Sequence, residues 1–97
     1  MIPFKKMWED ALSMISKDEI TNIYITEKYR SGFVVEEEGV TEFINKDDFI
    51  EFWCKMLCFK EFSKEDALQQ GKLKYVYEVI KKLPYVNERS NVLRLMD

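Results

Sequence analysis

The hydrophobic residues of this 97-residue chain follow first a helical spacing, then an alternating one, then a helical spacing again. Residues 3–16 carry apolar side chains three and four positions apart, which predicts an amphipathic helix. Residues 20–27 alternate instead: Ile23 and Ile25 face one way and Tyr24 the other, which predicts a strand. The chain therefore contains both kinds of element, and its first helix is followed by sheet.

Two glycines divide the next segment into two further strands. Gly32 and Gly39 suit tight turns because glycine adopts positive φ without steric cost. Between and after these turns the sequence predicts strands over 33–37 and 40–44. Together with the strand over 20–27, they form a predicted three-stranded antiparallel meander.

The second half of the chain returns to helical spacing. Residues 46–59 carry a wide aromatic stripe that predicts the central core helix, and Asn45 can cap its first turn. After it, the sequence predicts a short helix that begins at a Ser63 cap and ends near Gly71. A longer helix then runs through residue 83 and is stopped by Pro84. The last predicted element is a hairpin of residues 85–86 and 92–96, with a polar loop over 87–91.

Helices and strands are present without regular alternation, which predicts an α+β fold: an N-terminal helix, a three-stranded antiparallel meander, three helices and a C-terminal β-hairpin. The length and the 46% hydrophobic content suit a single domain over residues 1–97. A core helix, a short helix, a longer helix and a hairpin also follow one another in a winged helix-turn-helix. That architecture is therefore an alternative interpretation of residues 46–97.

The composition excludes several chemistries. The chain has no histidine, so a Ser–His or Cys–His nucleophile and a histidine metal ligand are excluded. Cys54 and Cys58 lie one helical turn apart, and we expect buried or partly buried thiols rather than a metal site or a disulfide. The three glycines form no phosphate-binding loop. We therefore predict no catalytic residues, no cofactor and no metal.

The longest apolar run is short, from Met56 to Phe59, whereas a membrane-spanning helix needs about 20 apolar residues. The first ten residues carry lysines and acids where a signal peptide has its apolar stretch. We therefore expect a cytoplasmic protein with no membrane partner.

Acidic residues and tyrosines concentrate in the first part of the chain. Residues 1–59 carry seven lysines and arginines against twelve acids, a net charge of −5. The candidate protein-binding residues share exposure on the predicted meander, and they are Tyr24, Tyr29, Glu36, Glu37, Glu38 and Glu42. The alternative is a meander covered on both faces by helices, which would place Tyr24 in the core.

An acidic surface with aromatic anchors suits a basic protein surface, because opposite charge speeds association. We therefore expect a small non-enzymatic protein that regulates or inhibits a larger, basic protein. A homodimer is an open alternative for its assembly.

The second hypothesis is a winged-helix transcriptional regulator that binds DNA. Its phosphate and base contacts would come from the basic and aromatic residues of the last predicted helix and the hairpin, namely Lys72, Lys74, Tyr75, Lys81, Lys82, Arg89 and Arg94. Glu78 lies in the middle of this face and would form a ladder of ion pairs with Lys74 and Lys82. That ladder favours a solvated helix surface over phosphate contact.

Overall fold

The computed structural model describes residues 2–96, and within them the predicted α+β class and the predicted order of elements are confirmed. The elements are α1 (Phe4–Ser16), β1 (Ile25–Tyr29), β2 (Gly32–Glu37), β3 (Val40–Asn45), α2 (Lys46–Phe59), β4 (Glu61–Ser63), α3 (Lys64–Leu68), α4 (Leu73–Ile80), β5 (Val86–Arg89) and β6 (Val92–Leu95). None of the helices in this part of the chain is long and apolar enough to cross a membrane.

The strands β1, β2 and β3 form an antiparallel meander in that spatial order. The first strand begins at Ile25, later than the predicted start at residue 20, because the chain bends at residues 22 and 23 before it pairs. A bulge between Ile25 and Glu27 shifts the register against β2. The turn between β2 and β3 is two residues long, and both Glu38 and Gly39 have positive φ, as a type I′ hairpin requires.

A second sheet has the order β4–β6–β5, so the C-terminal hairpin has a third strand that the sequence did not predict. The predicted polar loop over 87–91 is also wrong. Ser90 and Asn91 alone make a two-residue turn with positive φ, and residues 87–89 pair within β5. β4 has only three residues, too few to show alternation, and Phe62 at its centre stacks on Phe52 at 4.1 Å between ring centroids.

The central helix α2 begins at a capping box. Asp48 donates its backbone N–H to the Asn45 side chain at 3.0 Å, and Asn45 donates its own N–H to Asp48 at 2.9 Å. The predicted stripe faces inward, and its aromatic residues contact neighbours in α1, β2, β4 and α4. Cys54 and Cys58 lie on the opposite side and are exposed, so the expectation of buried thiols is wrong.

The helix α4 is almost entirely enclosed. Its buried residues are Leu73, Tyr75, Val76, Tyr77, Val79 and Ile80. Tyr77 donates its hydroxyl to Glu88 at 2.7 Å, and burial raises the pKa of Tyr77 far above its ordinary value, so the donor stays protonated. Tyr75, predicted as an exposed DNA contact, is therefore buried instead.

Candidate docking surface on the meander

Strand alternation and register place seven side chains on the outer face of the meander, away from the core. One row of paired residues across the three strands is Glu27, Val34 and Phe43. On the same face, Tyr29 pairs with Gly32, and Glu36 pairs with Thr41. Residues that pair directly lie on one face of a sheet. Tyr24 joins the same row as Glu36, since the Glu36 N–H donates to the Tyr24 carbonyl at 3.0 Å. We call this surface the outer face: Tyr24, Glu27, Tyr29, Val34, Glu36, Thr41 and Phe43.

The outer face is open rather than covered by a helix. Tyr24 is 66% exposed, Tyr29 50% and Phe43 39%. The prediction that Tyr24 projects opposite Ile23 and Ile25 is therefore confirmed, and the alternative that places Tyr24 in the core is wrong, because α1 and α2 pack on the other side of the sheet. Exposed large aromatics grouped on one face are typical of a protein interaction site.

Two of these aromatic rings contact each other. Tyr29 and Phe43 meet edge to face, with ring centroids 6.2 Å apart and an interplanar angle of 72°. They reach each other from the two outer strands because Gly32, directly opposite Tyr29, has no side chain on β2. The edge-to-face geometry is one of the arrangements that aromatic pairs prefer.

Acidic groups adjoin the rings. Glu27 accepts a hydrogen bond from the Tyr29 hydroxyl at 2.7 Å, and this hydrogen bond to Glu27 raises the pKa of Tyr29. Glu36 lies on the same face, and the exposed Glu38 occupies the adjoining turn. The outer face therefore combines neutral aromatic rings with negative charge, and none of its seven side chains is positive.

The other two predicted acids face away from this surface. Glu37 pairs with Val40 and Glu42 with Val35, so both lie on the inner side of the meander. Their separation from Glu36 follows from strand alternation, because neighbouring residues on a strand point to opposite faces. Of the six predicted protein-binding residues, the structure thus brings together Tyr24, Tyr29 and Glu36, with Glu38 at the end of the sheet.

Glu37 instead connects the meander to α4 through an ion pair and a hydrogen bond. Its carboxylate lies 3.0 Å from the Lys74 ammonium and accepts a hydrogen bond from the Tyr75 hydroxyl at 3.3 Å. The hydrogen bond from Lys74 lowers the pKa of Glu37, and the same contact raises the pKa of Lys74. Lys72 adds a second link, since its ammonium donates to the Phe43 carbonyl at 2.8 Å.

Most of the residues predicted to bind DNA make contacts within the molecule. Three of them, Lys72, Lys74 and Tyr75, contact the meander, and Tyr75 is buried. Lys81 lies 2.8 Å from Glu78, and Arg94 lies 3.1 Å from Glu61. The remaining two are exposed apart from each other: Lys82 lies in the turn after α4, and Arg89 ends β5. The structure does not gather the seven into one basic face. The predicted ladder is wrong, because Lys74 pairs with Glu37 and Glu78 pairs with Lys81.

A cavity of about 270 Å³ opens beside the link between Glu37 and Lys74. Two acids and two lysines lie around it, namely Glu37, Glu78, Lys64 and Lys74. Equal numbers of opposite charges give the cavity no electrostatic preference for a cation or an anion. Within residues 2–96, no group of three or more acidic or cysteine side chains is placed to hold a metal ion.

Sequence reasoning placed Glu27 among the acids around Tyr24 but missed Val34 and Phe43 as members of the outer face. Phe43 carried a usable signal, because it alternates with the buried Ile44 within the correctly predicted third strand.

Comparison of the chain with protein-family models, with curated proteins and with solved structures finds no match in any of the three.

Proposed function

We propose that this protein is a non-enzymatic regulator or inhibitor that binds a larger protein, and that it docks through the outer face of the meander onto a basic surface. The observation that carries the proposal is an open sheet face on which Tyr24, Tyr29 and Phe43 are exposed beside the carboxylates of Glu27 and Glu36. Tyrosine anchors carry a large share of binding energy in protein interfaces.

The charge of this face supports a basic partner. Its outward side chains include two acids and no base, and the first 59 residues have a net charge of −5. A partner with positive charge opposite this face would be attracted before contact, which speeds association and favours the correct orientation. The aromatic rings would then supply the short-range packing that slows dissociation.

Site-specific cross-linking tests whether the outer face meets a partner. A photoreactive side chain is placed at Thr41, which is exposed on the outer face, or at Gln69, which is exposed after α3 as a control. In cells that express the chain, we expect position 41 to capture a protein whose cross-linked surface is basic. Equal capture of that protein from position 69, or cross-links at an acidic surface, would contradict the proposal.

Charge reversal on the outer face tests the electrostatic part. In the double variant Glu27→Lys/Glu36→Lys, we expect the association rate with the captured partner to fall about tenfold or more at low salt, because attraction becomes repulsion. Stopped-flow or surface-based kinetics at several salt concentrations measures this rate. The matched control, Glu51→Lys/Glu65→Lys, changes the net charge equally on α2 and α3, and its rate should stay within about twofold.

DNA binding remains the alternative proposal, and the order α2–β4–α3–α4–β5–β6 is the observation in its favour. The enclosure of α4 and the internal pairing of Lys72, Lys74 and Arg94 weigh against it. A gel shift at low salt with duplex and single-stranded DNA separates the two functions. A shift that Glu27→Lys/Glu36→Lys leaves unchanged and Arg89→Ala abolishes would favour DNA.

A further inference from the structure

We propose that Cys54 and Cys58 form a two-coordinate thiolate site for Cu(I) on the exposed side of α2, a binding function separate from the docking surface. Both cysteines are free and exposed, and they are the two cysteines of the chain. They lie four residues apart within the continuous helix Lys46–Phe59. Residues at this spacing stack one above the other on the same helix face.

The helix spacing favours a bridging ion over a disulfide. The Cβ atoms of residues four apart in a helix are about 5–6 Å from each other. A disulfide needs Cβ atoms about 3.5–4.5 Å apart, so the two sulfurs cannot bond without unwinding the helix. With the zinc–thiolate length of about 2.3 Å taken for each bond, a straight sulfur–metal–sulfur unit spans about 4.6 Å. This span is comparable to the separation of the two Cβ atoms across one turn.

The number and type of the available ligands indicate which metal ion the site would bind. Zinc takes four ligands in structural sites, and among residues 2–96 no cluster of three acidic or cysteine side chains can hold a metal. Thiolates favour soft ions, and Cu(I) is satisfied by two of them in a linear arrangement. Binding replaces one proton on each sulfur, so two protons leave for each Cu(I) bound, no electron is transferred, and affinity rises with pH.

The surroundings leave the pair accessible. The inward stripe of α2 consists of Phe49, Phe52, Trp53 and Met56, and the cysteines lie outside it. Their replacement by serine therefore removes a sulfur from the surface and leaves the core intact, so loss of the ion can be separated from loss of the fold.

Competition with a coloured Cu(I) chelator under reducing, oxygen-free conditions tests the site. We expect the protein to withdraw one Cu(I) per chain and to remain a monomer by size-exclusion chromatography with light scattering. Cys54→Ser and Cys58→Ser should each abolish this transfer while the circular dichroism spectrum stays unchanged. The double variant Cys58→Ser/Phe59→Cys keeps two thiols but moves one off the shared face, and it should also lose transfer.

Three outcomes would overturn the proposal. Half a Cu(I) per chain with a dimer would show that the ion bridges two molecules instead. Transfer that survives in either single-serine variant would show that one thiol suffices, and equal transfer by the variant with altered spacing would show that the helical register is irrelevant.

Discussion

At the scale of single residues, Gly32 has the strictest requirement in the meander. It begins β2 with a φ of +154°, and a Cβ built there would lie 2.0 Å from the Ile44 carbonyl oxygen. That oxygen belongs to the backbone of β3, which cannot move aside without breaking the pairing of Phe33 with Ile44. The absence of a side chain at this position also lets Tyr29 and Phe43 meet.

Gly32→Ala should therefore lower the free energy of unfolding by about 2–4 kcal/mol, because it adds a backbone clash. Urea denaturation followed by tryptophan fluorescence measures this change. The matched control is Gly71→Ala, where φ is +60° and a Cβ meets nothing within 4 Å. The control should lose only about 1 kcal/mol, the cost of a left-handed conformation. Equal losses in the two variants would show that the clash is relieved.

Residue patterns also explain which parts of the fold were predictable. Apolar spacing predicted α1 and α2 to within one residue, and Asn45 capped α2 as expected, because caps and periodicity are local signals. β4 escaped prediction because its place in the sheet depends on β6, thirty residues further along the chain. The burial of Tyr75 escaped it for the same reason: the meander reaches α4 across a long sequence separation.

The candidate site was predictable in part. The alternation about Ile23 and Ile25 correctly predicted that Tyr24 is exposed. The acidic composition suggested the meander as a docking surface, which stays a prediction. Composition alone cannot separate Glu36 from Glu37, because the alternation of side chains along β2 places one on the outer face and the other towards α4.

At the scale of elements, the contact of Glu37 with Lys74 and Tyr75 is what joins the end of β2 to α4. The pKa of Glu37 is lowered in the folded state by Lys74. A carboxylate with a lowered pKa stabilises the fold above its ordinary pKa, and this contribution disappears as pH falls through the lowered value. The link between the two elements is therefore pH-dependent: its charge contribution is present at neutral pH and lost in acid, and it is modest because the pair is exposed.

The variant Glu37→Gln should unfold at lower urea concentration than the original chain at neutral pH, because it loses the charge that faces Lys74. The difference should vanish in acid, below the lowered pKa, where Glu37 is protonated in the original chain as well. Urea denaturation at the two pH values measures it, and Glu38→Gln, in the exposed turn, is the control. If the difference between the two chains persists unchanged in acid, the packing of the Glu37 side chain, and not its charge, stabilises the contact with α4.

At the scale of the whole molecule, the chain uses one side of each meander strand for its core and leaves the other side free. α1, α2 and α4 contribute to a single buried cluster that also includes Phe33, Val35 and Ile44 from the inner side of the meander. The outer face contributes no residue to that cluster. The core and the proposed docking surface therefore lie on opposite faces of one sheet, so we expect a change on the outer face to leave the fold intact.

The affinity of the cross-linked partner for two single variants tests the docking surface most directly. Tyr24 on the outer face and Phe59 at the end of α2 are equally exposed, at 66% and 67%. Titration calorimetry should show that Tyr24→Ala raises the Kd about tenfold or more, equivalent to about 1.4 kcal/mol, whereas Phe59→Ala leaves it within about twofold. An unchanged Kd for Tyr24→Ala, or a larger loss for Phe59→Ala, would contradict docking through the outer face.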